Sequence, residues 1–318
     1  MIVTLTANPS LDRTVRVAGA LTPGGVHRIV SERLGPGGKG INVALGAAGA
    51  GLGALAVFPA DEGDPLRGLV DRSGLRYRAT PLGGPVRTNL AVLSDPEVTT
   101  KINEPGPTLT PEKVAALEEA LADVVSEGDT AMLSGSLAPG IPADEYARLV
   151  RSLRARGVWV GVDTSDAPLA ALAEDGREAA PDFLKPNAEE LGQLTGVDGA
   201  ALEARARAGD LGGVRDAVGR LREAGVADVL VTLGGAGAVL ATEEGCWYAP
   251  SPDAPVVSTV GAGDSAVAGY LIARAQGDDG PGRLALAVAY GAVAVSLPGT
   301  TIPARDQVLA DASAVRPL

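Results

Sequence analysis

The run Val260-Gly261-Ala262-Gly263-Asp264-Ser265-Ala266 puts one carboxylate in a turn of small residues that opens directly into an apolar segment. Gly261, Ala262 and Gly263 leave room for backbone N–H groups to surround an anion, and a helix starting there adds its positive dipole end. Two readings of Asp264 compete on this fragment. One is a helix N-cap, for which aspartate is a good residue. The other is a general base: an ionised carboxylate can take the proton of an attacking hydroxyl while the amides hold the charge developing on a phosphoryl group. Other glycine motifs fit less well. A dinucleotide-binding GxGxxG follows an early strand and has an acidic residue about 20 positions on, whereas this turn is late and carries its acid inside. No GxxxxGK[ST] occurs either, because Lys39 in Gly35-Pro36-Gly37-Gly38-Lys39-Gly40 is followed by Gly40 and Ile41.

Such a turn needs elements behind it. Apolar strand-like runs alternate with helical periods over most of the chain, the pattern of a parallel sheet with crossover helices. The segment from Met1 to Asn8 reads as a first buried strand, and 158–163 and 229–233 as two more. Thr110-Pro111-Glu112 predicts a helix start with Thr110 as cap, followed by Val114, Leu117, Leu121 and Val124 on one face and stopped at Gly128. Tyr146, Leu149, Val150 and Leu153 repeat the spacing up to Gly157. Two regions, 12–34 and 86–103, break this rhythm. Their runs Val26-His27-Arg28-Ile29-Val30 and Asn89-Leu90-Ala91-Val92-Leu93 predict hairpins away from the main sheet, either as a lid that keeps water from a transferred group or as an antiparallel edge extension.

Composition removes several classes. With 318 residues, 46% of them hydrophobic and 3% aromatic, the chain can bury a large core of Ala, Val and Leu. A net charge of −12 argues against a nonspecific nucleic-acid partner, which needs a basic surface. One cysteine, Cys246, and one histidine, His27, allow neither a disulfide framework nor a Cys/His metal site; Cys246 is expected to be inert and His27 an ordinary strand residue. The N-terminus lacks the basic region of a signal peptide, and the longest Ala-rich run, 284–297, is short and bounded by Pro281 and Pro298. The expectation is a cytoplasmic protein with no membrane partner.

Five motifs occur in an order similar to that of the ribokinase/PfkB sugar kinases. They are Asn8-Pro9-Ser10-Leu11-Asp12, the run 36–44 around Gly37-Gly38-Lys39-Gly40, Ser134-Gly135-Ser136, Lys185-Pro186-Asn187-Ala188-Glu189-Glu190 and Gly261-Ala262-Gly263-Asp264. The resemblance spans residue 1 to about residue 303. Lys39 and the run 99–107 most resemble the 1-phosphofructokinase branch, with the tagatose-6-phosphate kinases close to it.

The resemblance implies one α/β domain over 1–318, a doubly wound, mainly parallel sheet flanked by helices, with lid strands inserted at about 12–34 and 86–103. It implies ATP and Mg²⁺, and a homodimer through the lid. By that analogy Asp264 is the base, and the amides of Gly261, Ala262, Gly263 and Asp264 form the anion hole. Asn187 and Glu190 organise Mg²⁺ largely through water, although their spacing is also that of a capping box. Lys185, Asn187, Thr232, Gly234 and Gly237 lie where nucleotide contacts are expected, while 232–237 also suits a tight hairpin. Asp12 and Asn42 match sugar-hydroxyl positions, with Gly37 and Gly38 allowing close approach. A neutral sugar gives a cation among glycines no partner, so Lys39 points to a phosphate on the acceptor. Arg87, whose fork suits that anion, is the second candidate; Ser136, Arg28 and Lys101 follow. The implied reaction is transfer to the C6 hydroxyl of D-fructose 1-phosphate, with tagatose 6-phosphate or fructose 6-phosphate as alternative acceptors. Asp264, Asn187 and Glu190 speak against a non-catalytic sugar-phosphate sensor, and Lys39 and Arg87 against a nucleoside acceptor.

Overall fold

Strands buried on both faces read as unbroken apolar runs, because alternate side chains feed two different cores. The computed structural model, which describes residues 1–94 and 98–318, shows this directly. Its strands in chain order are β1 (Ile2–Leu5), β2 (Ser10–Val17), β3 (Ile29–Gly37), β4 (Ala54–Pro59), β5 (Arg76–Thr80), β6 (Arg87–Ser94) and β7 (Val98–Asn103). They continue with β8 (Thr130–Ser134), β9 (Trp159–Asp163), β10 (Phe183–Leu184), β11 (Asp228–Thr232), β12 (Ala238–Thr242), β13 (Gly245–Ala249) and β14 (Arg316–Pro317). Val3 and Leu5 of β1, Ala131 and Leu133 of β8 and Val229 and Val231 of β11 enter one core, with the helices Pro111–Val124 and Glu145–Ala155. Ile2, Met132 and Leu230 enter the other, with the helices Lys39–Gly49 and Ala262–Gln276.

The large sheet has the order β14-β13-β12-β11-β10-β9-β8-β1-β4-β5. Neighbours from β11 through to β5 are parallel, and β12 to β14 add antiparallel strands at one edge. From β1 the chain winds first through β4 to β5 and then the other way through β8 to β11. Ligands in such sheets bind outside the carboxyl ends of the strands where the winding reverses. The doubly wound α/β expectation therefore stands, and it locates the site.

The second sheet has the order β3-β2-β6-β7. Two antiparallel hairpins, β2–β3 and β6–β7, are joined by parallel β2–β6 pairing, with Ser10 opposite both Gly37 and Arg87, and Asp12 opposite Asn89. The pairing aligns four polar residues at one end of the small sheet, while Val15, Val17 and Val92 form its own core.

Some expectations change in detail. The first hairpin begins at Ser10 and ends at Gly37, outside the expected 12–34, and Val26, His27 and Arg28 precede β3. His27 instead holds a turn, its Nε2 accepting the Thr22 N–H at 3.1 Å. Residues 95–97 of the expected 86–103 segment lie outside the described residues. Thr110 sits at the cap of the helix Pro111–Val124, but its side chain makes no capping bond; its hydroxyl serves Glu112 instead. Among the described residues no helix is long and apolar enough to cross a membrane.

Candidate active site

The helix Ala262–Gln276 begins from Gly261, whose φ of 80° is open to glycine and strained for other residues. Ser265 N–H bonds back to Gly261 O at 2.9 Å, closing the first turn. Gly261 thus occupies the cap, and Asp264 lies three residues inside. The capping reading of Asp264 is corrected by this geometry: its Oδ2 accepts Asn42 Nδ2 at 2.7 Å instead of a backbone amide. Asp264 is buried, and burial raises its pKa above the ordinary carboxylate range against the opposing pull of the Lys39 charge.

Asn42 and Lys39 belong to the helix Lys39–Gly49, which starts at Gly38 with φ 125°. A methyl group on Gly38 would lie 2.5 Å from Thr6 Cγ2, and one on Gly40 would lie 2.7 Å from Leu5 O. These glycines therefore let the helix dock on the carboxyl end of β1, where Thr6 Oγ1 accepts the Ile41 N–H at 3.0 Å. A methyl on Gly37 would overlap Asp12 Oδ1, so this glycine makes space for a polar side chain of the lid.

Asp163, which ends β9, was not among the site residues read from the sequence. It is fully buried, and its Oδ1 meets Lys39 Nζ at 2.8 Å and Lys185 Nζ at 3.3 Å. Burial would raise the Asp163 pKa, but the two ammonium groups outweigh it and hold the carboxylate below its usual range. Burial likewise opposes the charge on Lys39, and Asp163 with Asp264 outweighs it and raises the lysine pKa. Both directions describe a charged cluster. This corrects the premise that Lys39 lacks a protein partner. Asp163 Oδ2 remains buried with no hydrogen-bond partner. The only hint in the sequence was an acid closing an apolar strand, at the end of the sheet where ligands bind.

Asn187 and Glu190 form the full capping box of the helix Ala188–Thr195: Glu190 N–H donates to Asn187 Oδ1 and Asn187 N–H to Glu190 Oε2, each at 2.8 Å. The helix-capping alternative is thereby realised, with Glu190 itself buried. Asn187 bridges to Thr232 at the end of β11, beside the turn Gly234–Ala236 that joins β11 to β12. Asn187, Thr232, Gly234, Gly237, Ala262 and Gly263 line a cleft of about 600 Å³ that runs on to Ala292 and Val295. A methyl on Gly263 would sit 3.7 Å from Lys185 Nζ, so that ammonium abuts the turn that opens the helix Ala262–Gln276.

Across from this cleft, the lid end gathers a second polar group. Asp12 Oδ1 accepts Ser10 Oγ at 2.8 Å and Asn89 Nδ2 at 3.2 Å. Burial raises the Asp12 pKa against these bonds and the charge of Arg87. Arg87 donates to Glu104 O at 3.0 Å and to Ser136 Oγ at 3.4 Å, while its Nε is buried with no partner. Asn8 Nδ2 donates to Ser136 Oγ at 3.3 Å and Pro105 O at 3.1 Å. Asn8, Ser10 and Asn89 were not singled out from sequence. Arg28, just before β3, and Lys101, on β7, are both exposed. The hydrogen bonds of the lid group join residues up to Ser136, and the cleft is lined by residues from Asn187 onward.

Comparison with known proteins then identifies the frame. The profile of the "pfkB family carbohydrate kinase" matches residues 5–307. The chain belongs to the PfkB family of carbohydrate kinases. Such a kinase uses ATP to phosphorylate a sugar. A 1-phosphofructokinase of Rhodobacter capsulatus is 35% identical over 325 residues, covering 100% of this chain and 98% of the relative. Phosphofructokinase-2 of Escherichia coli in complex with substrates and products superposes with a TM-score of 0.87 at 29% identity, over 96% of each chain. The same enzyme in complex with fructose-6-phosphate gives 0.83 at 28% identity, over 94% of this chain and 95% of that one.

Proposed function

We propose that this PfkB kinase transfers the γ-phosphoryl group of MgATP to the C6 hydroxyl of D-fructose 1-phosphate, giving fructose 1,6-bisphosphate and MgADP. The observation that carries the reading is Asp264: a buried carboxylate inside the anion-binding turn, held by Asn42 and not consumed by capping. The 1-phosphofructokinase of Rhodobacter capsulatus supports the acceptor. In this mechanism the C6 hydroxyl gives its proton to Asp264 as its oxygen bonds the γ-phosphorus. The bond from that phosphorus to the bridging oxygen breaks, and ADP leaves. The amides of 261–264 hold the charge in passage. Lys39 and Lys185, pinned by Asp163, assist them, while Arg87 and Ser136 receive the acceptor's own phosphate. Lys39 thereby serves the transferring group more directly than the C1 phosphate.

Among the described residues no three His, Cys, Asp or Glu side chains cluster to hold a metal alone. Mg²⁺ keeps several waters and takes further ligands from nucleotide phosphates. Buried Glu190 beside Asn187, and the orphaned Asp163 Oδ2, fit such an ion. Asn187 and Glu190 would hold it, largely through water, where it would offset the charge of the nucleotide phosphates.

The fructose-6-phosphate complex of the E. coli neighbour favours a second reading, a 6-phosphate acceptor bound in the reverse sense with the same catalytic groups. MgATP-dependent ADP release with fructose 1-phosphate, fructose 6-phosphate, tagatose 6-phosphate, fructose, ribose and adenosine separates these. Preference for an unphosphorylated acceptor would sink the phosphate role of Arg87. The working unit in this proposal is a homodimer, because the lid exposes Val30 at 62% and Ile102 at 57% of their surfaces on β3 and β7.

A further inference from the structure

The turn that follows the helix Gly280–Val295 touches three parts of the site at once. A methyl on Gly261 would lie 3.6 Å from Thr300 Cα and 3.8 Å from its Cγ2, so Thr300 packs on the glycine that caps the anion hole. A methyl on Gly35 of β3 would lie 3.8 Å from Thr300 Oγ1, so the hydroxyl is turned toward the lid. Gly299, with φ 65°, brings the backbone so close that a methyl there would meet Thr14 Oγ1 at 3.1 Å. On the other side, a methyl on Gly46 would lie 3.4 Å from Ile302 Cγ2, tying the same turn to the helix that carries Lys39 and Asn42.

The hydroxyl has a specific target. Ser10 and Asn89 bond the Asp12 carboxylate from within the lid; Gly35, which the Thr300 hydroxyl faces, is the residue directly opposite Asp12 in the β2–β3 register, and that hydroxyl helps to hold the Asp12 pKa down. Ser10 and Asn89 stand on lid strands β2 and β6 and move with Asp12. Thr300 comes from the body.

We propose that Thr300 is a positioning residue, a latch that fixes the lid carboxylate Asp12 relative to the anion hole at Gly261 and so registers the acceptor sugar against the transferring phosphoryl group. The inference rests on the sugar-phosphate kinase reading above, and nothing in that reading assigns Thr300. The geometry separates two contributions. The methyl and Cα pack on Gly261, and the hydroxyl reaches Asp12. Valine keeps the first and deletes the second, whereas serine keeps the hydroxyl. A hydrogen bond to a charged group is among the stronger kinds, and reacting atoms misplaced by a small distance lose rate steeply.

The experiment compares wild type, Thr300→Val, Thr300→Ser, Asp12→Asn and the Thr300→Val/Asp12→Asn double variant on whichever acceptor the wild type phosphorylates, with acceptor and ATP varied separately. Thr300→Val should lower kcat/KM for the acceptor tenfold or more and leave KM for ATP within twofold, the latter also showing that the body is folded. Thr300→Ser should recover most of the loss. In the Asp12→Asn background the valine substitution should cost little, because the latch has nothing left to hold. Wild-type kinetics in Thr300→Val, or equal losses in the valine and serine variants, would overturn the proposal. So would the same valine penalty with and without Asp12. A wild type that releases no ADP with any acceptor removes the kinase reading itself and the latch with it; an active wild type with an indifferent Thr300→Val removes the latch alone.

Discussion

At the residue scale the site sets Asp12, Asp163 and Asp264 against Lys39, Lys185 and Arg87. Asp264 has to be ionised to accept a proton, and burial makes ionisation harder. The kcat of the wild type should therefore fall as pH drops through a raised pKa, above the ordinary aspartate value of about 3.9. Lys39 is the largest charge working against that burial. Lys39→Met should lower kcat and move the acid limb of the pH–kcat profile to higher pH; an unmoved limb would show that another group titrates. Asp264→Asn should keep acceptor and ATP KM within a few-fold and reduce kcat by about 10²- to 10⁴-fold, the usual worth of a general base. Stopped-flow or coupled-assay rates decide this, and wild-type turnover in the variant would exclude Asp264. The placement of Asp264 in a tight turn opening a helix was legible in sequence, because the glycines around it mark such a turn. Asp163 was not, since its importance lies in two lysines that come from 124 positions before it and 22 after it and that meet it only through the sheet order.

At the element scale, glycines decide how closely helices and lid approach the strand ends. The alternation of strand and helix made the main sheet readable from one chain, because continuous apolar runs such as β11 are demanded by burial on both faces. The small sheet was harder to bound. Its strands mix polar and apolar residues, and β3 is exposed along most of its length, so no burial period marks where β3 begins, and the run through Val26 and His27 looked as strand-like as the one that pairs. Gly37 offers a local test. Its missing Cβ is the space taken by Asp12 Oδ1. Gly37→Ala should push that carboxylate aside and raise the acceptor KM at least tenfold while ATP binding, followed by titration of a fluorescent nucleotide, stays near that of the wild type.

At the scale of the whole molecule, the lid leaves Ile29, Val30, Leu34, Val98 and Ile102 exposed on its outer strands. An apolar surface of that kind marks an interaction site more often than a bare face, and the partner proposed for it is a second copy of the same lid. Val30→Glu with Ile102→Lys should shift sedimentation velocity from dimer to monomer at micromolar concentration, by placing charges where apolar side chains would be buried. A wild type that sediments as a monomer under the same conditions would remove the dimer from the account.

The lid group and the cleft also occupy separate stretches of the polypeptide, the one finished by Ser136 and the other begun at Asn187. In the proposed mechanism acceptor choice and nucleotide handling are therefore carried largely by different stretches, coupled where Asn42 bonds Asp264 and Lys39 meets Asp163. A recombinant joined between those positions should keep its activity only where both parents match at the contacts that cross the seam: Asn42 with Asp264, Lys39 with the Asp163–Lys185 pair, and the Thr300 turn with the lid.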